Sequence, residues 1–361
     1  IVFGDWSSDV CSSDLSDLAV DWYSDVMLAN FFMLTCPYLY ILKTATYFAL
    51  IRNHNATHAT KNIHNTAQVI LDLYKYQNDV FIHPLKVENR HTPTMYMLHK
   101  WNPNEDQKNQ FAPVWESVTN AEILTRIQHQ WLDFTVKQLD YWTQSFHSAQ
   151  NLLNKYYAGR ANPIDLEKTK IKIIKMCIAR ANDERFQLAN KYLELEDLLE
   201  IGKRMIGTGL IGGKSVGMIV AQAILRRKNS YWTKRLEVHD SFFIGSDVFY
   251  TYLVSNKIWW ERRKTSSVKN FMTDIEKVRE KMERGNFPEH IINQFQELLN
   301  YFGQSPIIVR SSSLLEDAYG NAFSGKYESV FLANQGTPKD RLAQFIDAIR
   351  RIYTRDRKSV V

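Results

Sequence analysis

Cysteine is scarce in this sequence. Only 3 cysteines occur among 361 residues, which excludes a disulfide scaffold and is typical of a reducing compartment. Charged residues make up 23% and hydrophobic residues 45%, so the composition is that of a globular chain and not of a disordered one. The net charge is +6, but no dense basic tract is present, so we expect no nucleic-acid partner. These features predict a cytoplasmic protein with about two or three domains.

An uninterrupted apolar run of membrane-spanning length is also missing. The most apolar stretch, residues 26–51, is interrupted by Asn30, Pro37 and Lys43, whereas a bilayer span needs about 20 apolar residues. Polar interruptions are costly in lipid, so we expect buried helices of a soluble domain and no membrane contact. A membrane anchor is the alternative that these residues leave open.

The two ends lack helical or strand periodicity. Residues 1–15 contain Ser-Ser-Asp twice, and residues 355–361 form a short charged tail. Both resemble translated sequencing adapters, the alternative being natural disordered termini. We therefore exclude them from the expected fold and expect the chain to be a fragment of a longer protein.

Turn residues and apolar periodicity divide the rest of the chain. Residues 80–115 carry four prolines, which indicate turns and place a boundary near residue 110. Residues 16–110 are expected to be a mainly helical region of unknown role, and residues 111–204 a helical subdomain with helically spaced apolar residues. Over residues 205–354, strand-like and helical segments alternate, which predicts an α/β domain. The expected fold class is α/β (α+β) with a mostly helical N-terminal half.

Three histidines lie close together in the sequence, at His54, His58 and His64. A helix would place His54 and His58 on one face. No Glu or Cys joins them at ligand spacing, and a structural metal site needs about four ligands. The sequence therefore predicts no metal site in this segment.

The first chemical motif is a glycine-rich stretch, GTGLIGGKS, at residues 207–215. A glycine turn that runs into a helix exposes backbone N–H groups at the positive end of the helix dipole, where phosphate binds well. Lys214 adds a full positive charge there. The Walker A spacing fails, because the glycine it requires would fall at residue 208, which is Thr. A P-loop and a plain glycine turn with a solvated lysine are the two alternatives.

The second motif is an apolar strand that ends in Arg310, Ser311 and Ser312, followed by the loop 320–325. The carboxyl end of a strand is a common ligand position, and a guanidinium binds phosphate oxygens in pairs. The loop contains two glycines and could fold over a bound anion. The alternative is that Arg310 pairs with Glu316 or Asp317 in a structural salt bridge.

Together, GGKSVGM at residues 212–218 and VRSSSLLED…FSGKYES at residues 309–329 resemble a known family. They are similar to the N-terminal nucleotide-binding domain of phosphoenolpyruvate (PEP) synthase and pyruvate phosphate dikinase. The resemblance covers residues 200–354 and implies the first part of an ATP-grasp-like domain. The sequence departs from the family pattern at Lys326 and Tyr327, where glutamines are common, and at residues 313–315.

The resemblance implies roles for seven residues. Lys214 and Arg310 would hold the phosphates of ATP, with Arg310 as the catalytic residue. Ser324 and Gly325 would lie in the loop that covers the nucleotide. The remaining cofactor-binding residues would be Gly212, Gly213 and Ser311.

The resemblance further implies an ATP-dependent phosphotransferase that passes phosphoryl to a histidine and then to pyruvate or another acceptor. Its Mg²⁺ ligands are expected downstream of this chain. Phosphoryl transfer depends on metal and positioning together, so we expect the chain alone to be inactive. The alternative is a non-catalytic module that senses nucleotide or binds another protein.

Overall fold

The structure, a computed structural model, describes residues 10–51, 55, 57–106, 110–128, 140–181, 183–236, 240–264, 271–312, 317–318, 321–322 and 329–355. The chain divides into two compact units. Residues 1–16 and 31–139 form the first, and residues 17–30 and 140–361 form the second. The fold class is α+β, as predicted, with many helices and only small sheets.

The N-terminal elements are two helices between two paired strands. β1 (Val10–Asp14) lies parallel to β2 (Ala45–Ala49). α1 (Leu15–Trp22) and α2 (Asp25–Ile41) each contribute residues to both units. β1 falls within the N-terminal stretch that the sequence analysis set aside, so part of that stretch has regular structure.

A four-stranded antiparallel sheet occupies much of the first unit. After α3 (Thr57–Thr66), the chain forms β3 (Val69–Tyr76), β4 (Asp79–Val87), β5 (His99–Trp101) and β6 (Phe111–Pro113), which pair in sequence order. α4 (Ser117–Gln128) follows. Ile123 of α4 packs in a small core with the sheet residues Tyr74 and Phe81 and with Leu98, which directly precedes β5.

The expectation of a mainly helical region over residues 16–110 missed this sheet. Apolar residues occupy both faces of β3, with Leu71 and Leu73 exposed and Tyr74 buried, so the period of two is blurred. Pro84, interpreted as a turn signal, lies inside β4 opposite Leu71, where the β3–β4 register shifts. A bulge is one of the few sheet positions that accept proline. Along this part of the sequence, the two compact units divide between residues 139 and 140.

Four helices open the long segment of the second unit: α5 (Tyr141–Tyr157), α6 (Pro163–Cys177), α7 (Glu184–Tyr192) and α8 (Leu195–Lys203). Asn162 caps α6 by accepting from the Ile164 amide at 2.9 Å. The apolar faces of these helices share one core, in which Ile174 and Leu198 are fully buried.

The remainder of the second unit alternates short strands and helices. The helices are α9 (Gly213–Lys228), α10 (Ser230–Thr233), α11 (Ser246–Ser255), α12 (Trp259–Lys264), α13 (Phe271–Arg284), α14 (Glu289–Phe302) and α15 (Pro338–Arg355). The strands are β7 (Met205–Ile206), β8 (Phe243–Ile244), β9 (Ile307–Arg310), β10 (Asp317–Ala318), β11 (Asn321–Ala322) and β12 (Ser329–Leu332).

Three two-stranded sheets position the loops of this half. β7 and β8 are parallel, whereas β9–β12 and β10–β11 are antiparallel pairs. Val309 and Val330 pack against α15, while Ile308 and Phe331 on the opposite face are exposed. β9, expected to be a buried strand, therefore buries only one face.

None of the described helices is both long enough and apolar enough to cross a bilayer.

Candidate nucleotide-binding site

A glycine turn joins β7 to α9. Gly207 and Gly209 have φ values of +67° and +95°, a region that side chains disfavour. A Cβ at position 209 would also overlap the Asp247 carboxyl group. Gly212 is the N-cap residue of α9 and Gly213 its first helical residue, so Lys214 lies in the first turn of the helix. The sequence motif thus forms the expected turn into a helix N-terminus.

The two sequence motifs meet at the N-terminus of α9. The Ser215 amide donates to Ser312 Oγ at 3.1 Å, and the two serine Oγ atoms lie 3.1 Å apart. Gly212 has no side chain to cap its helix, so Ser312 accepts the hydrogen bond that an N-cap side chain ordinarily takes. Residues 97 positions apart in sequence therefore build one junction.

The junction also explains why position 212 is glycine. A Cβ there would overlap the backbone carbonyl group of Ser312. That carbonyl belongs to the main chain and cannot move aside as a side chain would. The close approach of the two backbones is possible only without a side chain, so the junction selects glycine for steric reasons.

Arg310 and Ser311 reach the junction from β9. Arg310 is the last residue of the strand, pairs with Ser329 of β12, and is exposed. Ser311 is 4% exposed and directly precedes Ser312. The strand therefore ends two residues before Ser312, with Arg310 exposed at its last position, while Lys214 is half-buried on α9.

Part of the expected site lies outside the described residues. Ser324 and Gly325 of the covering loop fall there, as does Glu316, one alternative ion-pair partner of Arg310. Of the segment after Ser312, the short strands β10 and β11 are described, and β10 lies against α9.

The back of the glycine turn is held by the start of α11. The Gly245 amide donates to the Ile206 carbonyl at 3.0 Å, and the Asp247 amide donates to the Thr208 carbonyl at 3.1 Å. Ser246 binds Leu210 twice, through its own amide and through its Oγ, each at 3.0 Å. Amides at the start of a helix have no partner within it, and here the carbonyls of the turn satisfy them.

A buried carboxyl group completes this back wall. Ser24 Oγ and Thr208 Oγ1 each donate to Asp247 Oδ2 at 2.6 Å. Burial raises the pKa of Asp247 above its ordinary value of 3.8, against smaller opposing effects of these hydrogen bonds and of the Arg180 charge. The sequence suggested Ser246 or Asp247 as the cap of α11, but the N-cap is Gly245 and both side chains face the turn instead.

The described residues offer no metal site. Among them, no three His, Cys, Asp or Glu side chains lie close enough together to hold a metal ion. His54 and the His58 side chain fall outside the description, and His64 is an exposed residue of α3.

The segment that contains Arg310 and most of the glycine turn matches a known protein-family model. Residues 208–357 match the family model described as the AMP/ATP-binding domain of pyruvate phosphate dikinase. No curated protein and no solved structure matches the chain. The matched segment contains the N-terminus of α9, Arg310, and the contact between Ser215 and Ser312. Residues 208–357 are thus similar to the AMP/ATP-binding domain of the pyruvate phosphate dikinase family.

Proposed function

We propose that this chain supplies the ATP-binding part of a PEP-synthase or dikinase type of phosphotransferase. The observation that carries the proposal is the junction between Ser215 and Ser312, which joins the glycine-glycine-lysine helix to the strand that ends in Arg310. The family match supports nucleotide binding by this segment independently.

The chemistry proposed for the site is recognition of phosphate. Backbone amides and the helix dipole at the start of α9 favour an anion, and Lys214 adds a charge in the same turn. Arg310 would bind phosphate oxygens in pairs, in the region that strand β9 shares with α9. Ser311 would position the strand end, and Ser324 and Gly325 would cover the bound nucleotide.

The proposed reaction passes the phosphoryl group of ATP to a histidine and then to pyruvate or another acceptor. Phosphoryl transfer is promoted mainly by positioning and by stabilisation of the developing charge. Arg310 is proposed to act catalytically on that charge. The function proposed for the described residues themselves is ATP binding.

Calorimetric titration with ATP tests the binding proposal. We expect Lys214→Ala and Arg310→Ala each to weaken ATP binding about 10- to 100-fold, because hydrogen bonds to charged groups contribute about 1.5–3 kcal/mol. Lys228→Ala is the matched control, since it removes one positive charge from the opposite end of α9. Equal affinity of the wild type and both site variants would contradict the proposal.

Phosphoryl transfer is tested separately with γ-³²P-ATP and the full-length gene product. Label that appears on a histidine, and that Lys214→Ala abolishes, is the expected result. Tight ATP binding without any transfer of label would instead support a nucleotide-sensing module.

A further inference from the structure

A triangle of buried polar groups lies behind the glycine turn, and two of its three residues lie outside the sequence motifs. Its corners are Ser24, Thr208 and Asp247, which are 1%, 7% and 5% exposed. Both hydroxyl groups donate to the same carboxylate oxygen, and the Ser24 and Thr208 hydroxyl oxygens lie 3.2 Å apart. Buried hydrogen-bonded polar groups of this kind hold chain segments in one fixed arrangement.

The triangle acts on the beginning of the glycine turn, which leads on to the proposed phosphate site. Thr208 is bound by its side chain to the Asp247 carboxylate and by its carbonyl to the Asp247 amide. Gly209 packs so closely on that carboxyl group that no side chain would fit. The Asp247 side chain therefore sets the path of the turn that leads to Gly212 and α9.

Ser24 comes from a remote part of the sequence, yet it belongs to the same compact unit. Residues 17–30 are grouped with residues 140–361, and Leu28 and Ala29 are buried. Two further contacts fix the segment: Asp25 Oδ2 accepts from the Tyr141 amide at 3.2 Å, and Asn30 Nδ2 donates to Thr251 Oγ1 at 2.9 Å. The family match begins at residue 208, so Ser24 lies outside the matched domain.

We propose that Ser24 and Asp247 are positioning residues of the nucleotide site, so that ATP binding depends on residues 17–30 as well as on the glycine turn. They act through Thr208 by fixing the glycine turn, and they do not touch the nucleotide. The proposal rests on the proposed function. It adds that nucleotide affinity depends on a helix segment almost two hundred residues before the glycine motif.

The first test compares two variants of the same segment. Ser24→Ala removes one hydrogen bond to the Asp247 carboxylate, whereas Asn30→Ala removes one to Thr251, one helical turn further along α11 and away from the glycine turn. We expect both to lower the melting temperature. Only Ser24→Ala should weaken ATP binding, by about 3- to 10-fold, the equivalent of one hydrogen bond.

A second pair of variants tests whether ATP affinity depends on the hydroxyl group of Thr208. Thr208→Val keeps the shape of the side chain and removes its hydroxyl group, whereas Thr208→Ser keeps the hydroxyl group. ATP affinity should fall in Thr208→Val and stay near the wild-type value in Thr208→Ser. Equal affinities in the two variants, or equal losses in Ser24→Ala and Asn30→Ala, would overturn the proposal.

Hydrogen exchange without nucleotide separates this proposal from the ATP-binding proposal. The Leu210 amide donates to Ser246 Oγ, and the Gly207 amide donates to Gln294 Oε1 at 2.7 Å. Both amides should exchange faster in Ser24→Ala and at the wild-type rate in Asn30→Ala. If the wild type binds no ATP, the proposed function fails, and these exchange rates alone decide whether Ser24 fixes the turn. Unchanged exchange in Ser24→Ala would refute that role.

Discussion

The two sides of the glycine turn differ in how they use polar groups. On the front, at the start of α9 and the end of β9, Lys214 is half-buried and Arg310 is exposed. On the back, Ser24, Thr208 and Asp247 are almost fully buried, and they bond to one another. The front is the side proposed to recognise phosphate, whereas the buried groups on the back hold the shape of the turn.

This difference predicts which substitutions change ATP affinity alone and which also change the free energy of folding. Removing an exposed charge costs little folding free energy, because water solvates the site in the free protein. Removing one partner of a buried hydrogen bond leaves the other unsatisfied, at a cost of about 1–3 kcal/mol. Front substitutions should therefore act mainly on ATP affinity, and back substitutions on stability as well.

Gly212→Ala should have the largest effect. The new methyl group would overlap the Ser312 carbonyl, and the two backbones would have to move apart. Overpacking of this kind costs about 1–3 kcal/mol or more. We expect a lower melting temperature together with loss of measurable ATP binding, because the start of α9 and the end of β9 would be forced apart.

Gly217→Ala is the matched control for this substitution. Gly217 is an exposed residue of the same helix, and a Cβ there meets no atom within 4 Å. Alanine in place of an exposed helical glycine should stabilise the protein by about 0.5–1 kcal/mol and leave ATP affinity unchanged. If Gly212→Ala behaves like Gly217→Ala in thermal melts and titrations, the close backbone approach at the junction is refuted.

Asp247→Asn should change how stability depends on pH. Burial raises the pKa of Asp247 in the folded protein, so folding favours its protonated form. The stability that this preference contributes is complete below the ordinary pKa of 3.8 and is lost as the pH rises through the folded value. The asparagine variant has no such proton to lose.

The measurement is the free energy of unfolding of both proteins in denaturant over a pH series. The wild-type value minus the Asp247→Asn value should fall as the pH rises from about 4. Asp183 and Asp240, whose pKa values are lowered chiefly by hydrogen bonds from Arg185 and Arg204, titrate in both proteins and cancel in this difference. A difference that does not vary with pH would show that burial does not raise the pKa of Asp247.

The sequence predicted the local elements at the front of the turn, because a continuous stretch of residues encodes each of them. Residues 212–215 form a continuous glycine turn and helix start, and Arg310 ends a continuous apolar strand. Their order and spacing resemble the family that the comparison then found. Contact between the two motifs was implied by the family resemblance, but the hydroxyl group that makes it, on Ser312, was not singled out.

The back of the site could not be predicted in this way. Ser24 lies just before the apolar stretch of residues 26–51, and a single serine there forms no recognisable pattern. Asp247 lies at the start of a helix, where an aspartate is commonly a helix cap. Their partnership depends on the packing of residues 17–30 with the second unit. Neither periodicity nor spacing encodes a contact over 223 positions. The sheet of the first unit was missed for a related reason, since its strands lack clean alternation.

Ser312→Ala should have the smallest effect. It tests whether Ser312 shapes the nucleotide site or only caps α9. It removes the acceptor of the Ser215 amide and should cost about 0.5–2 kcal/mol, as loss of an N-cap does. Asn162→Ala removes the cap of α6 and should cost a similar amount. Because only the first change loosens the start of α9, ATP binding should weaken in Ser312→Ala and stay unchanged in Asn162→Ala. If equal melting temperatures are accompanied by equal ATP affinities, Ser312 is a helix cap alone, and the junction does not shape the nucleotide site.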